Sequence, residues 1–384
     1  PSVGLHPQDT SRLIKVLKHL RDLGNTVIVV EHEEEIIRSS DYLIDIGPAA
    51  GRFGGEMVYA GPFNAKGQQS LTTQYLNGEL EIPLPKFRRK SANFIKIIGA
   101  RQNNLKNIDV KIPLQSLTVV TGVSGSGKST LIKQIVYPAL KNKLEDFSQK
   151  PGLHKDFIIP SKGISKVEMV DQNPIGRSSR SNPVTYIKAY DAIRELYAQQ
   201  ALSKMRGYQP KHFSFNVDGG RCETCSGEGE TVVEMQFLAD IHLTCETCKG
   251  KRFKSEVLEV HYKEKSIADV LEMSVEESLE FFSEKKDLVQ KLQPLADVGL
   301  GYVQLGQSSS TLSGGEAQRV KLASFLQKGS HRQPVFFLFD EPTTGLHFHD
   351  INKLLKPFNA LIELDHTVVL LDNIFYLIKR LNRP

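Results

Sequence analysis

Apolar residues recur at helical spacing near the start of the chain. Leu13, Ile14, Leu17 and Leu20 share one face of a predicted helix, and Gly24 supplies a stop. The run Thr26–Val30 that follows reads as a strand buried on both faces. The same order returns near the end. Ile351, Leu354, Leu355, Phe358 and Ile362 mark a second amphipathic helix, and Thr367–Leu371 a second buried strand. The two copies align without a gap at an offset of 341 residues, Pro1-Ser2-Val3-Gly4-Leu5-His6-Pro7-Gln8-Asp9 against Pro342-Thr343-Thr344-Gly345-Leu346-His347-Phe348-His349-Asp350. Leu13 falls on Leu354, Lys15 on Lys356, and Thr26-Val27 on Thr367-Val368. Such a register marks an internal repeat. Two related halves are expected, with the tail of the first and most of the second in this chain. Pro357 stands inside the second helix where the first copy has Val16, and predicts a cost of about 3 kcal/mol or a kink there.

The first tail is expected to end near residue 80. Glu81–Asn93 carries Pro83, Pro85 and the basic run Lys86-Phe87-Arg88-Arg89-Lys90, and reads as a linker. The second half begins at Phe94. The chain has 384 residues, 40% of them hydrophobic and 24% charged, a globular mix that excludes a disordered, collagen-like or coiled-coil chain. No apolar run is long enough for a transmembrane helix. The start has neither a basic-then-apolar leader nor a methionine, so the expectation is a cytoplasmic protein and a fragment of a longer one. The net charge of +5 permits a polyanionic partner without demanding one.

Three patterns carry chemistry. The β-rich run Leu117–Val120 leads into Gly122-Val123-Ser124-Gly125-Ser126-Gly127-Lys128-Ser129-Thr130 and then the helical run Leu131–Val136. This is the strand–loop–helix context in which glycines let backbone N–H groups surround phosphate oxygens. Lys128 would reach the β- and γ-phosphates of ATP, and Ser129 would give a hydroxyl to Mg2+. The unbroken apolar run Val335–Phe339 ends in Asp340-Glu341. Asp340 would hold Mg2+, and Glu341 would orient and deprotonate the attacking water. Leu312-Ser313-Gly314-Gly315-Glu316 stands where a helix would start, as an anion seat or an ordinary cap. The four cysteines form two Cys-x-x-Cys pairs, Cys222/Cys225 and Cys245/Cys248, separated by 19 residues. That spacing predicts a closed, structural zinc (Zn2+) site rather than a disulfide framework.

The phosphate loop, the Leu-Ser-Gly-Gly-Glu motif and the strand ending in Asp340-Glu341-Pro342 occur in the order that resembles an ATP-binding-cassette (ABC) ATPase. The resemblance implies an α/β P-loop cassette in which the Ser-Gly-Gly motif of one cassette closes over nucleotide held by another. It also implies a Mg-sensing role for Gln172 and a γ-phosphate switch role for His32. A cysteine module within a cassette, with Arg101–Ile108, Asp171–Arg177, Arg180–Pro183, Phe213–Asn216 and Met235–Asp240, resembles the UvrA family of DNA-damage-recognition ATPases. What that implies is a homodimeric two-cassette ATPase that binds damaged duplex DNA without sequence specificity, loads a UvrB-like partner, and needs no membrane. Arg177, Arg180, Lys249, Lys251 and Arg252 are the candidate DNA contacts. The expected organisation is a first-cassette tail over 1–80, a linker over 81–93, a second cassette beginning at 94–137, an inserted region over 138–299 with the zinc module near 213–254, and the rest of the cassette over 300–384. Three features depart from the pattern. The first cassette's own loop is missing, Asn373 stands where the repeat has His32, and the chain stops at Pro384 without a counterpart of Asp45–Pro48. A non-catalytic remnant and a transporter ATPase are the alternatives; the cysteine module speaks against the second.

Overall fold

The computed structural model describes residues 1, 5, 7–63, 70–83, 88–145, 149–161, 163–176, 178, 180–233, 235, 241–327 and 333–372. The strands in chain order are β1 (Tyr42–Gly47), β2 (Glu56–Pro62), β3 (Phe94–Ala100), β4 (Ile108–Pro113), β5 (Leu117–Val120), β6 (Asp156–Ile158), β7 (Lys166–Val170), β8 (Glu230–Val233), β9 (Ile241–Thr244), β10 (Val335–Asp340) and β11 (Thr367–Leu371). The chain divides into two compact units, Pro1–Gln172 with Lys328–Pro384, and Asn173–Gln327.

The first unit is built on a parallel sheet of order β5-β11-β10-β7. Its middle strands read as continuous apolar runs because both faces are covered. One face meets the antiparallel sheet β4-β3-β6 through Ile95, Ile97 and Ile112, together with Ile132, Ile135, Val136 and Leu140 from the helical segment after the phosphate loop. The other face takes the helix Phe348–Glu363, with Phe339 and Phe358 edge to face at 4.9 Å. That helix runs through Pro357, which is buried. Packing of Leu354, Phe358 and Leu361 against the sheet holds the helix where propensity alone would break it.

The two copies of the repeat differ in their surroundings. In the second, Thr367–Leu371 is a buried strand between β5 and β10. In the first, Thr26–Val30 is not a strand, and Ile28 and Val30 are 88% and 86% exposed. The first helix, Pro7–Asp22, also leaves Val16 and Leu20 in solvent. Among the described residues no strand lies beside Thr26–Val30 to pair with it. An apolar run becomes a ladder only where a neighbour supplies the other half of each hydrogen bond. The rest of this segment, β1–β2 and the short helix Leu71–Leu76, packs on the second copy: Ile37, Leu76 and Phe348 share a small core.

The second unit is mostly helical and contains the hairpin β8–β9. Asn182, Ser266 and Ser274 each cap a helix reciprocally. Its aromatic core includes Tyr190, Tyr197, Phe213, Phe215 and Phe253; the buried Tyr190 hydroxyl donates to Phe213 O at 2.7 Å. This unit spans Asn173–Gln327. The reason is packing. Leu140 and Val167 belong to the core under the parallel sheet, whereas the helix Gly314–Gln327 packs on Lys286–Asp297.

Candidate functional site

The phosphate loop leaves β5 and turns on three glycines with positive φ: Gly122 (151°), Gly125 (75°) and Gly127 (109°). A Cβ at Gly122 would stand 2.8 Å from Ser126 Oγ, and one at Gly127 2.9 Å from Leu105 Cδ2. Side chains are thus excluded where backbone must approach a ligand. Asn104 Nδ2 donates to Gly125 O at 2.8 Å and braces the loop from outside; Asn103 Nδ2 donates to Thr130 Oγ1 at 3.2 Å. Ser124, Gly125, Ser126 and Ser129 are exposed, and Thr130 is buried. Lys128 Nζ donates to Gly122 O at 2.6 Å and to Val123 O at 3.1 Å. Burial pulls its pKa below the usual lysine range, and the charge of Glu341 opposes that shift.

The acidic pair stands at the C-terminal end of β10, in the same unit. Glu341 leaves the strand with φ 48°, a left-handed conformation that costs a non-glycine residue energy. Its N–H donates to Leu371 O at 2.8 Å, and its carbonyl accepts from Gln172 Nε2 at 3.2 Å. Glu341 and Gln172 therefore meet at adjoining strand ends, and the charge of Glu341 is felt by Lys128 in the loop. Asp340 Oδ2 lies 2.5 Å from Lys133 Nζ. The fit to a hard cation is one of donor chemistry: Ser129 hydroxyl and Asp340 carboxylate are oxygen ligands of the kind Mg2+ takes. His32 is not brought to this site by any described bond. It is exposed, its N–H donates to Glu31 Oε2 at 3.3 Å, and its charge is felt by His347. Arg177 and Asn373 lie outside the described residues.

In the second unit, Ser313 N–H donates to Glu316 Oε2 at 2.8 Å and Glu316 N–H donates to Ser313 Oγ at 3.2 Å. This reciprocal box opens the helix Gly314–Gln327, with Leu312 half-buried before it and Ser313 exposed. The cap expected for Leu312–Glu316 is thus present, with the Ser313 and Glu316 N–H groups taken up in it. Tyr302 donates to Glu316 Oε1 at 2.5 Å and fixes the acid; burial pushes the Tyr302 pKa up to about 12.

The four cysteines are buried, and their sulfurs all lie within 4.8 Å of one another. Cys222 Sγ and Cys245 Sγ are 3.9 Å apart, and Cys225 Sγ and Cys248 Sγ 3.7 Å. A disulfide needs about 2.05 Å. Four sulfurs at about 2.3 Å from one tetrahedral zinc would stand about 3.8 Å apart, so the cluster is compatible with zinc. The two knuckles share one backbone device. Ser226 and Gly227 after the first pair, and Lys249 and Gly250 after the second, all have positive φ, so each chain turns sharply around its sulfur. Gly229 N–H donates to Cys225 Sγ at 3.2 Å.

The candidate DNA contacts separate by environment. Lys249 and Lys251 are exposed. Arg252 is instead tucked in, its guanidinium 5.5 Å from the Phe215 ring centre, and burial lowers its pKa. Arg180 pairs with Glu228 at 3.4 Å. Asn104, Lys133 and Tyr302 were not singled out in the sequence reading. Asn104 lay within the Arg101–Ile108 stretch, but nothing in the spacing tied its amide to the loop.

A glycine-turned phosphate loop on a parallel sheet, an acidic strand end beside it, and an inserted helical unit with a four-thiol cluster define an ABC-type P-loop ATPase cassette. No protein-family model matches the chain. The chain is 53% identical over 382 residues to UvrABC system protein A of Clostridium perfringens, covering 99% of this chain and 40% of that protein. It is equally 53% identical over 382 residues to UvrABC system protein A of Staphylococcus aureus strain COL, with the same coverage. Among solved structures, UvrA2 from Deinococcus radiodurans matches with a TM-score of 0.91 and 42% identity over 98% of this chain and 46% of that chain. The chain belongs to the UvrA family and spans about 40% of the length of the curated relatives it matches.

Proposed function

We propose that the chain is the ATP-binding C-terminal portion of a UvrA-like DNA-damage-recognition ATPase of nucleotide excision repair. One observation carries the reading: the phosphate loop, Asp340, Glu341 and Gln172 converge in one unit of a chain with UvrA sequence along nearly its whole length. Lys128 would exchange its two carbonyl partners for the β- and γ-phosphate oxygens of ATP. Ser129 and Asp340 would hold Mg2+, which when bound supplies charge neutralisation to the phosphates. Gln172 would sense the bound Mg2+, and Glu341 would align the attacking water and take its proton. Leu312–Glu316 would close over nucleotide held by another cassette, so turnover would require a homodimer or the other half of a longer chain. The four cysteines would hold a structural zinc, and Lys249 and Lys251 beside it would meet DNA phosphates without reading sequence. A UvrB-like partner and a cytoplasmic location go with this reading; no described helix is long and apolar enough to cross a membrane.

The test is steady-state ATP turnover by the zinc-loaded chain, with ATP binding measured in parallel and Lys128→Ala as control. Turnover above the control supports a working site. Binding without turnover favours the non-catalytic reading, which Asn373 in the repeat position of His32 supports. Equal ATP binding by wild type and Lys128→Ala sinks the assignment of the loop.

A further inference from the structure

We propose that Lys133 is the resident counter-cation of the carboxylate that would hold Mg2+, and that it sets the divalent-ion concentration at which nucleotide is taken up. This rests on the ATPase reading above. Lys133 stands four residues beyond Ser129, in the segment Thr130–Val136, whose turns are widened to the π type. In turns of that width, residues four and five apart lie near one another on the helix surface. Such widened turns occur often at functional sites. Ile132, Ile135 and Val136 on this segment are fully buried under the sheet. Lys133 is left to face the end of β10, where its ammonium lies 2.5 Å from Asp340 Oδ2. The pair sits at the edge of water, with the Lys133 side chain 40% and the Asp340 side chain 23% exposed.

Two cations therefore have a claim on one carboxylate. The ammonium is delivered by the chain itself and contributes one contact. An ion pair of this exposure is weak, so it can be exchanged. A divalent ion gains little from Asp340 alone, because Mg2+ gives up its water reluctantly and seeks several oxygens at once. With nucleotide it gains phosphate oxygens and the Ser129 hydroxyl, and it then displaces the ammonium into solvent. Lys133 thus makes capture of the ion depend on the arrival of nucleotide. The role is distinct from that of Lys128, whose ammonium is held inside the loop by Gly122 O and Val123 O.

The test compares the full chain with Lys133→Met, which keeps length and removes charge, and with Lys133→Arg, which keeps the charge. The first readout is binding of Mn2+ alone, followed by its paramagnetic signal. The second is the Mg2+ concentration giving half-maximal ATP binding, by calorimetry. Lys133→Met is expected to tighten Mn2+ binding and to lower the Mg2+ requirement, each by roughly five- to tenfold, the scale of one unit charge removed beside a divalent ion in a solvated site. Lys133→Arg should stay near wild type, and ATP affinity in EDTA should not move. In an Asp340→Asn background, Lys133→Met should have no further effect on Mn2+ binding. An unchanged or raised ion requirement in Lys133→Met overturns the proposal. If Lys128→Ala binds ATP as wild type does, the ATPase reading has failed separately, and the Mn2+ experiment still decides the role of Lys133. Thermal melts of each variant establish that the fold is kept.

Discussion

Replacing Cys245 with serine should remove the metal and unfold the module around it while sparing the unit that carries the phosphate loop. The sulfur pairs at 3.9 and 3.7 Å already stand at about the edge length of a zinc–thiolate tetrahedron. The hairpin end of the module has little else to hold it. The hairpin β8–β9 leaves Val232, Ile241 and Leu243 43%, 46% and 50% exposed, so the four thiols are the buried centre of that segment. Structural zinc supplies on the order of 10–16 kcal/mol of apparent binding energy in small domains, comparable to the roughly 5–15 kcal/mol that stabilises a whole domain. Losing one of four ligands should therefore turn the module from folded to open. The assay is zinc content by elemental analysis, together with amide exchange across 213–254 and 335–371. Wild type should hold one zinc per chain. Cys245→Ser should hold much less, with protection lost in the module and retained along β10 and β11. Stoichiometric zinc in the variant, or full module protection in metal-free wild type, would refute the reasoning.

Four further outcomes are expected. Gly127→Ala puts a Cβ 2.9 Å from Leu105 Cδ2 at a φ of 109°, and should weaken ATP binding at least roughly tenfold by calorimetry, with β10 and β11 still protected from exchange. His347 accepts the cap from His349 N–H at Nδ1 and bonds Thr72 Oγ1 through Nε2. Burial holds its pKa below the ordinary value, against the pull of Asp350. The unfolded chain then binds the extra proton, so this contribution is complete above about pH 6.5 and is lost as pH falls below that; His349, shifted the same way, adds to it. The melting temperature should drop between pH 7.5 and 5.5 by less in His347→Gln than in wild type, and an equal drop would rule the histidine out. Lys249→Ala and Lys251→Ala should weaken binding to duplexes of any sequence, each reducing the salt slope by about 0.9. Arg252→Ala should instead lower zinc-module stability, since its guanidinium lies against Phe215.

The chemistry of this chain was legible in its sequence because the motifs are local. A loop that wraps phosphate needs glycines and a lysine a fixed few residues apart, and two cysteine knuckles need Cys-x-x-Cys followed by residues that tolerate a left-handed turn. Gly122–Thr130 and Cys222–Cys248 follow from that. The buried strands Val335–Asp340 and Thr367–Leu371 were equally plain, as unbroken apolar runs. Tertiary structure decided what depends on neighbours. Thr26–Val30 and Thr367–Leu371 carry nearly the same pattern, yet only the second has strands on both sides and becomes one. Pro357 sits within a helix because the sheet holds that helix in place. The boundary of the second unit fell at Asn173 because β7 pairs with β10 across more than 160 residues of sequence. Likewise, no spacing rule could tell that Arg252 turns inward while Lys249 and Lys251 face water, or that Lys133 meets Asp340. A sequence fixes which groups a turn or a strand presents. Burial and pairing set which of them meet, and they are settled only when distant segments share one core.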